Sequence, residues 1–389
     1  MAVVGMSAGG TCGARDYAGL LADELSRQDA PCTLHWLWRE AESMRAAHAE
    51  IRAWTGVLAS ELAETRPDIV LLHYSVFAYS YRGLPLFVAP TLSALRSARA
   101  PIVTVLHEFV YPWRHGGWRG KAWAVTQRAL LIDVMRRSTA VLVTTDFRAA
   151  WLATRPWLPK RRAVVAPVFS NLPPPAACLP MPRPPSTVGL FGYSYQGAAV
   201  SLVLDAIARV RDRGLDVQLV LLGAPGRGSS AAEMWLQAAG DRDLAHALSC
   251  SGTLAAQELS NALAGCEILL FADASGPSSR KGTLAASLAS GRPVVAIDGP
   301  RRWLELIEAD AAQVVAPTSH ALAEAIHALL GDGDLRQGLG ARGRAFADRR
   351  MGVERTAEAL SGLIAEIGGL PRRASGEIAV QEGRDMLLR

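Results

Sequence analysis

The chain has 389 residues, of which half are apolar and a fifth charged. That is too long for one ordinary core and fits two domains of roughly 150–200 residues, and the balance excludes a disordered chain. The formal charge of +5 is a mild basic excess that suits anionic partners such as nucleoside diphosphates or lipid phosphates. Solvated arginines in an arginine-rich chain give the same total.

The five cysteines (Cys12, Cys32, Cys178, Cys250, Cys266) are scattered. None forms the two-residue spacing of a zinc site, so reduced thiols are expected. Residues Met1 to Met6 run into Ser7-Ala8-Gly9-Gly10 without a basic n-region or cleavage pattern, so no signal peptide is expected. No stretch reaches the roughly 18 to 20 apolar residues of a membrane span. A cytoplasmic protein is expected, with peripheral contact at the inner face of the membrane left open.

Short apolar runs alternate with amphipathic segments, the rhythm of β-α-β units and parallel sheets. In the first half the predicted strands are Val3–Met6, Thr33–Leu37, Ile69–His73, Ile102–His107, Ala140–Thr144 and Ala163–Ala166. Helices include Ala14–Gln28 and Trp123–Arg137. Runs such as Ile69-Val70-Leu71-Leu72 are apolar on both faces, as strands covered on two sides must be. Between Pro167 and Pro185 the prolines are too dense for either element, and a stiff linker is expected there.

The alternation then resumes. Strands are predicted at Thr187–Phe191, Val217–Leu222, Ala247–Ser251, Ile268–Phe271, Pro293–Ile297 and Ala312–Val315, with helices between them. Two further helices, Leu335–Arg349 and Val353–Ile367, precede a polar tail. The expected plan is an α/β protein of two Rossmann-like, doubly wound parallel-sheet domains facing a central cleft. It comprises a first domain over 1–170, a linker over 171–186, a second domain over 187–350, a closing helix over 351–368, set against the first domain, and a tail over 369–389. Ligands of such sheets bind outside the carboxyl ends of the strands.

Four segments carry chemistry. Gly9-Gly10-Thr11-Cys12-Gly13-Ala14-Arg15-Asp16-Tyr17 follows the first strand and opens a helix. Its glycines admit a ligand to the backbone, and the helix start offers free N–H groups; a plain tight turn has the same composition. It lacks the Gly-x-Gly-x-x-Gly fingerprint of dinucleotide binding. His107-Glu108 ends one buried strand and His73-Tyr74 ends the preceding one, which places these polar pairs toward the cleft. Tyr111 to Trp123 interleaves aromatic and basic residues, suiting a sugar, an anionic headgroup or a membrane interface. A surface loop with locally packed tryptophans fits as well, and its glycines argue against a helix throughout.

The fourth segment is Gly276-Pro277-Ser278-Ser279-Arg280-Lys281-Gly282-Thr283. A strand ends, a small-residue turn follows, and a helix begins with hydroxyls and two cations at its first turn. Cations there oppose the helix dipole unless an anion is present, so this is the expected diphosphate site. The donor would rest on Ser278, Ser279, Arg280, Lys281, Gly282 and Thr283.

From Gly5 to about Ile367 the chain resembles the retaining glycosyltransferases of family 4 (group 1), which have the GT-B fold. The resemblance rests on Cys12-Gly13-x-x-Asp16-Tyr17, the Tyr79 to Pro85 segment, His107-Glu108, the Ser278 to Thr283 turn and Gly291-Arg292-Pro293-Val294-Val295. It implies a metal-independent transferase with no cofactor, a nucleoside-diphosphate sugar serving as co-substrate. Transfer would run with retention to a sugar, lipid-linked or small-molecule hydroxyl in polysaccharide, glycolipid or natural-product synthesis, with no nucleic-acid partner. It implies catalytic roles for His107, Arg280 and Lys281, and donor contacts at Gly192, Gly223, Thr253 and Leu254. It also implies acceptor-side positions at Gly10, Cys12, Gly13, Asp16, Tyr17, His73 and Glu108.

The chain departs from the family's pattern. Ser278 and Ala286 stand where it carries a pair of glutamates, and the cations it places after the first strand of the second domain are missing at Tyr193 and Tyr195 to Gly197. Arg280 and Lys281 compensate for the lost cations in the preferred reading. A catalytically silent GT-B partner or scaffold is the rival, followed by another GT-B enzyme such as a nucleotide-sugar epimerase and then a dinucleotide oxidoreductase.

Overall fold

The computed structural model describes residues 1–8, 12–113, 117–176, 186–195 and 197–368. Gly10, Arg114 to Gly116, the second half of the proline-rich segment and the tail fall outside the described residues.

Six parallel strands form the first sheet: β1 (Ala2–Ala8), β2 (Thr33–Arg39), β3 (Val70–Ser75), β4 (Ile102–Glu108), β5 (Ala140–Val143) and β6 (Arg162–Val165). Their order is β2-β1-β3-β4-β5-β6. The second sheet holds β7 (Ser186–Phe191), β8 (Val217–Leu222), β9 (Leu248–Cys250), β10 (Ile268–Phe271), β11 (Val294–Ile297) and β12 (Gln313–Val315). Its order is β12-β11-β10-β7-β8-β9, again all parallel.

Each sheet is covered on both faces, which is why strands such as β5, β10 and β11 are apolar throughout. Along β4, Val103 and Val105 join the core under helix Gly13–Arg27, while Ile102 and Leu106 join the core on the opposite face. This is the two-residue alternation of a strand. β7, β8, β10 and β11 divide their side chains in the same way between two cores of the second sheet.

The strand order reverses beside β1 in one sheet and beside β7 in the other. At such a switch point the loops leaving neighbouring strands diverge and open a crevice. Helix Gly13–Arg27 starts at the first and helix Gly282–Ala289 near the second.

Helix Val353–Gly368 returns to the first domain. Its Ala357, Leu360 and Leu363 pack with Leu21 and Leu25 of helix Gly13–Arg27, a spacing that keeps one helical stripe on the core. The described part of the proline-rich segment lies on helix Ala256–Ala264. There the Ser260 hydroxyl donates to the Pro173 carbonyl at 2.6 Å, and Gln257 Nε2 to that of Pro174 at 3.0 Å.

One element differs from expectation. The helix expected at Trp123 begins at Gly117, and Gly120 faces inward there, where the absence of a side chain permits close packing.

Candidate functional site

The carboxyl ends of both sheets border a cavity of about 240 Å3. The first domain supplies Gly13, Ala14, Tyr17, His107, Glu108, Thr144 and Arg148, and the second supplies Arg280 and Gly282. Val168 and Asn171, on the crossing between domains, complete it. Gly13 and Gly282 each open a helix, so two helix N-termini approach the same space, one from each domain.

Helix Gly282–Ala289 has Lys281 at its N-cap, with no side-chain cap bond. Its uncapped first-turn N–H groups and dipole favour an anion. The preceding turn is held from several sides. Ser279 Oγ donates to the Thr144 carbonyl at 2.7 Å, and the Val168 amide donates to the Ser279 carbonyl at 2.7 Å. At Gly276, φ is +85°, and a Cβ would come within 2.8 Å of the Gly299 amide nitrogen. Gly192, at the end of β7 with φ +70°, leaves only 2.7 Å between an added Cβ and Thr283 Cγ2. Glycine is needed at both positions.

The cations are engaged by carboxylates. Arg280 Nη1 lies 2.7 Å from Glu108 Oε1, and Arg148 Nη2 lies 3.2 Å from Glu108 Oε2. One carboxylate thus bridges two guanidinium groups, one from each domain. Lys281 pairs with Asp273 at the end of β10. Burial works against the charged form of Asp273, but hydrogen bonds from Lys281 and Ser275 outweigh it and hold the carboxyl below its usual range.

Apart from Glu108 and Arg148, the first-domain side is packed and neutral. Tyr17 stacks on Phe169 at 4.2 Å and meets His107 edge-on at 5.2 Å and His73 at 6.0 Å. Its hydroxyl is pushed far up by burial, which outweighs the neighbouring Thr356 hydroxyl. Burial, with Arg148 nearby, brings His107 down to about 4. His73 is held well below the histidine range by burial and by His107. Both rings are therefore uncharged near neutral pH.

Of the residues named from sequence, Gly13, Tyr17, His107, Glu108, Arg280 and Gly282 meet at this cavity. His73 is 2% exposed and sits behind His107. Cys12 caps the helix beside the cavity, and Asp16 points to solvent. Ser278 is buried with its hydroxyl unpartnered, and Ser279 spends its hydroxyl on the interdomain bond. Lys281 and Thr283 flank the cavity lining on the same turn and helix start, and Gly192 sits against Thr283.

Gly223 and Thr253 gather at the ends of β8 and β9. There the Gly223 amide donates to Ser251 Oγ at 3.1 Å, and Thr253 Oγ1 is the nearest atom to a Cβ built on Gly226. Leu254 packs on the core that holds Leu222 and Leu259. Ala286 lines a separate, smaller pocket of about 90 Å3 covered by Pro173 to Pro175.

Arg148 was not singled out from the sequence. It lies in the first turn of helix Asp146–Thr154, capped by Thr145, with its side chain bonded to the His107 carbonyl. The signal that marked Arg280, a cation in the first turn after a strand, is present here too.

Among the described residues, no group of three or more His, Cys, Asp or Glu could hold a metal ion. No helix among them is long and apolar enough to cross a membrane.

No curated protein matches the chain in sequence. Residues 185–332 match the family model described as "Glycosyl transferases group 1". Among solved structures, a glycosyltransferase from Rickettsia africae superposes with a TM-score of 0.68 at 14% identity, covering 94% of this chain and 98% of that one. Anabaena Alr3699/HepE, solved with UDP and glucose, gives 0.65 at 16% identity over 94% and 100%. A putative UDP-N-acetylglucosamine 2-epimerase from Listeria monocytogenes gives 0.62 at 12% over 97% and 99%. At these identities the likeness shows the fold, which transferases and epimerases share. Residues 185–332 are thus similar to a group 1 glycosyltransferase domain, and the chain as a whole has the GT-B fold.

Proposed function

We propose that the protein transfers a sugar from a nucleoside-diphosphate sugar to an acceptor hydroxyl, with the diphosphate held at the interdomain cavity. One observation carries this reading: two helix N-termini and two arginines, Arg148 and Arg280, converge there with Glu108 as the sole carboxylate among the described lining residues. The diphosphate takes Arg280 from Glu108 and rests on the N-terminus at Gly282, with Lys281 beside it. These groups stabilise the negative charge that grows on the leaving diphosphate as the glycosidic bond breaks. His107, neutral at working pH, hydrogen-bonds the sugar from the first domain. UDP is the first nucleotide to try, since Alr3699/HepE is solved with UDP and glucose. Retention of configuration follows from the family 4 resemblance.

A peripheral membrane contact is part of the proposal. Trp118, Lys121, Ala122 and Val125 form an outward stripe on helix Gly117–Arg137, with Trp118 76% exposed. Phe77 and Trp113 are also exposed. Phe77 meets Tyr111 edge-on, while Arg128 stacks on Trp113 at 4.2 Å. Exposed aromatic and basic side chains suit an anionic lipid surface, and a lipid-linked acceptor would be reached there. Sedimentation with phosphatidylglycerol vesicles, weakened by Trp118→Ser, supports this contact; equal recovery with phosphatidylcholine vesicles removes it.

The transfer reading is tested by incubation with UDP-, GDP-, TDP- and ADP-glucose. Release or transfer of glucose from one of them supports it. An epimerised sugar without transfer supports the epimerase, and no turnover of any donor supports a silent GT-B partner.

A further inference from the structure

His73 and His107 end adjacent strands, and His73 Nδ1 lies 3.1 Å from His107 Nε2. The rings are nearly parallel, with centroids 5.3 Å apart. A neutral imidazole has one N–H and one lone pair. A hydrogen bond between two neutral rings therefore needs one nitrogen bare and the other protonated, and this choice settles which nitrogen of each ring carries its one proton.

In one arrangement His73 Nδ1–H donates. His107 Nε2 is then the acceptor, its proton is on Nδ1, and His73 Nε2 is bare. In the other, His107 donates and His73 carries its proton on Nε2. That atom is buried and makes no hydrogen bond. The second arrangement would strand a buried N–H, the rarer kind of orphan in folded proteins. Tyr17 and Trp36, the aromatic rings beside His73, lie 6.0 and 6.2 Å away between centroids. The first arrangement is thus favoured.

We propose that His73 is a positioning residue that fixes His107 as the Nδ1–H tautomer, a hydrogen-bond donor facing the cavity. His107 Nδ1 makes no hydrogen bond with the described residues, and the ring lines the cavity. A donor suits a sugar hydroxyl or ring oxygen that gathers electron density, whereas the opposite tautomer would present a lone pair. The role for the sugar rests on the transfer reading; the tautomer itself does not.

The experiment is 15N NMR of histidine-labelled, ligand-free protein near neutral pH, with the His107 signals assigned by loss in His107→Gln. Ring nitrogens with and without a proton differ widely in shift, so each tautomer has its own signature. The expected result is one His107 form, protonated at Nδ1. It should become a mixture in His73→Phe and be restored in His73→Asn, whose amide places an N–H near the Nδ1 position. A His107 protonated at Nε2 in the unmodified protein, or an unchanged Nδ1–H form in His73→Phe, overturns the proposal. If one nucleotide sugar is turned over, His73→Phe should lower kcat about tenfold to a hundredfold with KM little changed, and His73→Asn should recover most of it. Absence of turnover would count against the transfer reading while the NMR result stood.

Discussion

The two walls of the cavity are built on opposite principles. The first-domain wall, apart from Glu108 and Arg148, is a dry stack of Phe169, Tyr17, His107 and His73 held uncharged by burial. The second-domain wall is a charged turn whose Arg280 and Lys281 are each paired with a carboxylate. A packed wall fixes geometry, because side chains in a dense core have few alternative arrangements. A paired wall can exchange partners, because a partly exposed ion pair is worth little and a better anion displaces it. A sugar needs defined hydroxyl geometry and a diphosphate needs charge, so the division matches the proposed substrate.

Breaking the packed wall has the largest expected effect. Tyr17→Ala removes a 2% exposed ring from the core under helix Gly13–Arg27 and should cost about 3–5 kcal/mol, read by chemical denaturation. Breaking the paired wall should spare the fold and strike turnover. The Arg280→Ala/Lys281→Ala double variant should lower kcat by about 100- to 1000-fold while unfolding free energy changes by no more than about 1 kcal/mol. Glu108 would keep Arg148, and Asp273 would keep its bonds from Ser275.

Acid sharpens the contrast. His73 and His107 are depressed in the fold, His107 to about 4, whereas an unfolded histidine titrates near 6.5. As pH falls through 6.5 the unfolded chain takes up protons that the folded rings refuse. Stability is therefore full above about 6.5 and is lost as pH falls toward the folded value of His107, about 4, with His73 acting in the same direction. His73→Phe should reduce that loss in pH-dependent denaturation. The smallest effect is expected from Glu108→Gln, which weakens the competitor for Arg280. UDP should bind it about three- to tenfold more tightly, since roughly 1 kcal/mol corresponds to such a change.

The strands were legible from the alternation of short apolar runs with amphipathic segments, clearest where both faces are buried, as in β10 and β11. The two closing helices were legible from their apolar spacing. What a helix-start argument lacks is the partner across space. Glu108 and Arg280 are 172 residues apart, and only folding both sheets brings them to one cavity. Ser279 looked like a phosphate ligand because a hydroxyl near a helix start usually has a free donor. Its partner, the Thr144 carbonyl, is in the other domain. Arg148 carried the same signal as Arg280, but a lone arginine in an ordinary helix gives no reason to prefer it. His73 read as a cleft residue from its place at a strand end, whereas the closer approach of His107 to the cavity leaves His73 behind it.

The most direct test of the charged wall is calorimetric titration of UDP, GDP, TDP and ADP into the unmodified protein and into Arg280→Ala/Lys281→Ala. At least one diphosphate should bind the unmodified protein, and its affinity should fall by at least about tenfold in the variant, the loss of roughly 1.4 kcal/mol of contact. Equal affinity in the two proteins, or no binding of any diphosphate to the unmodified chain, would contradict diphosphate binding at the charged wall.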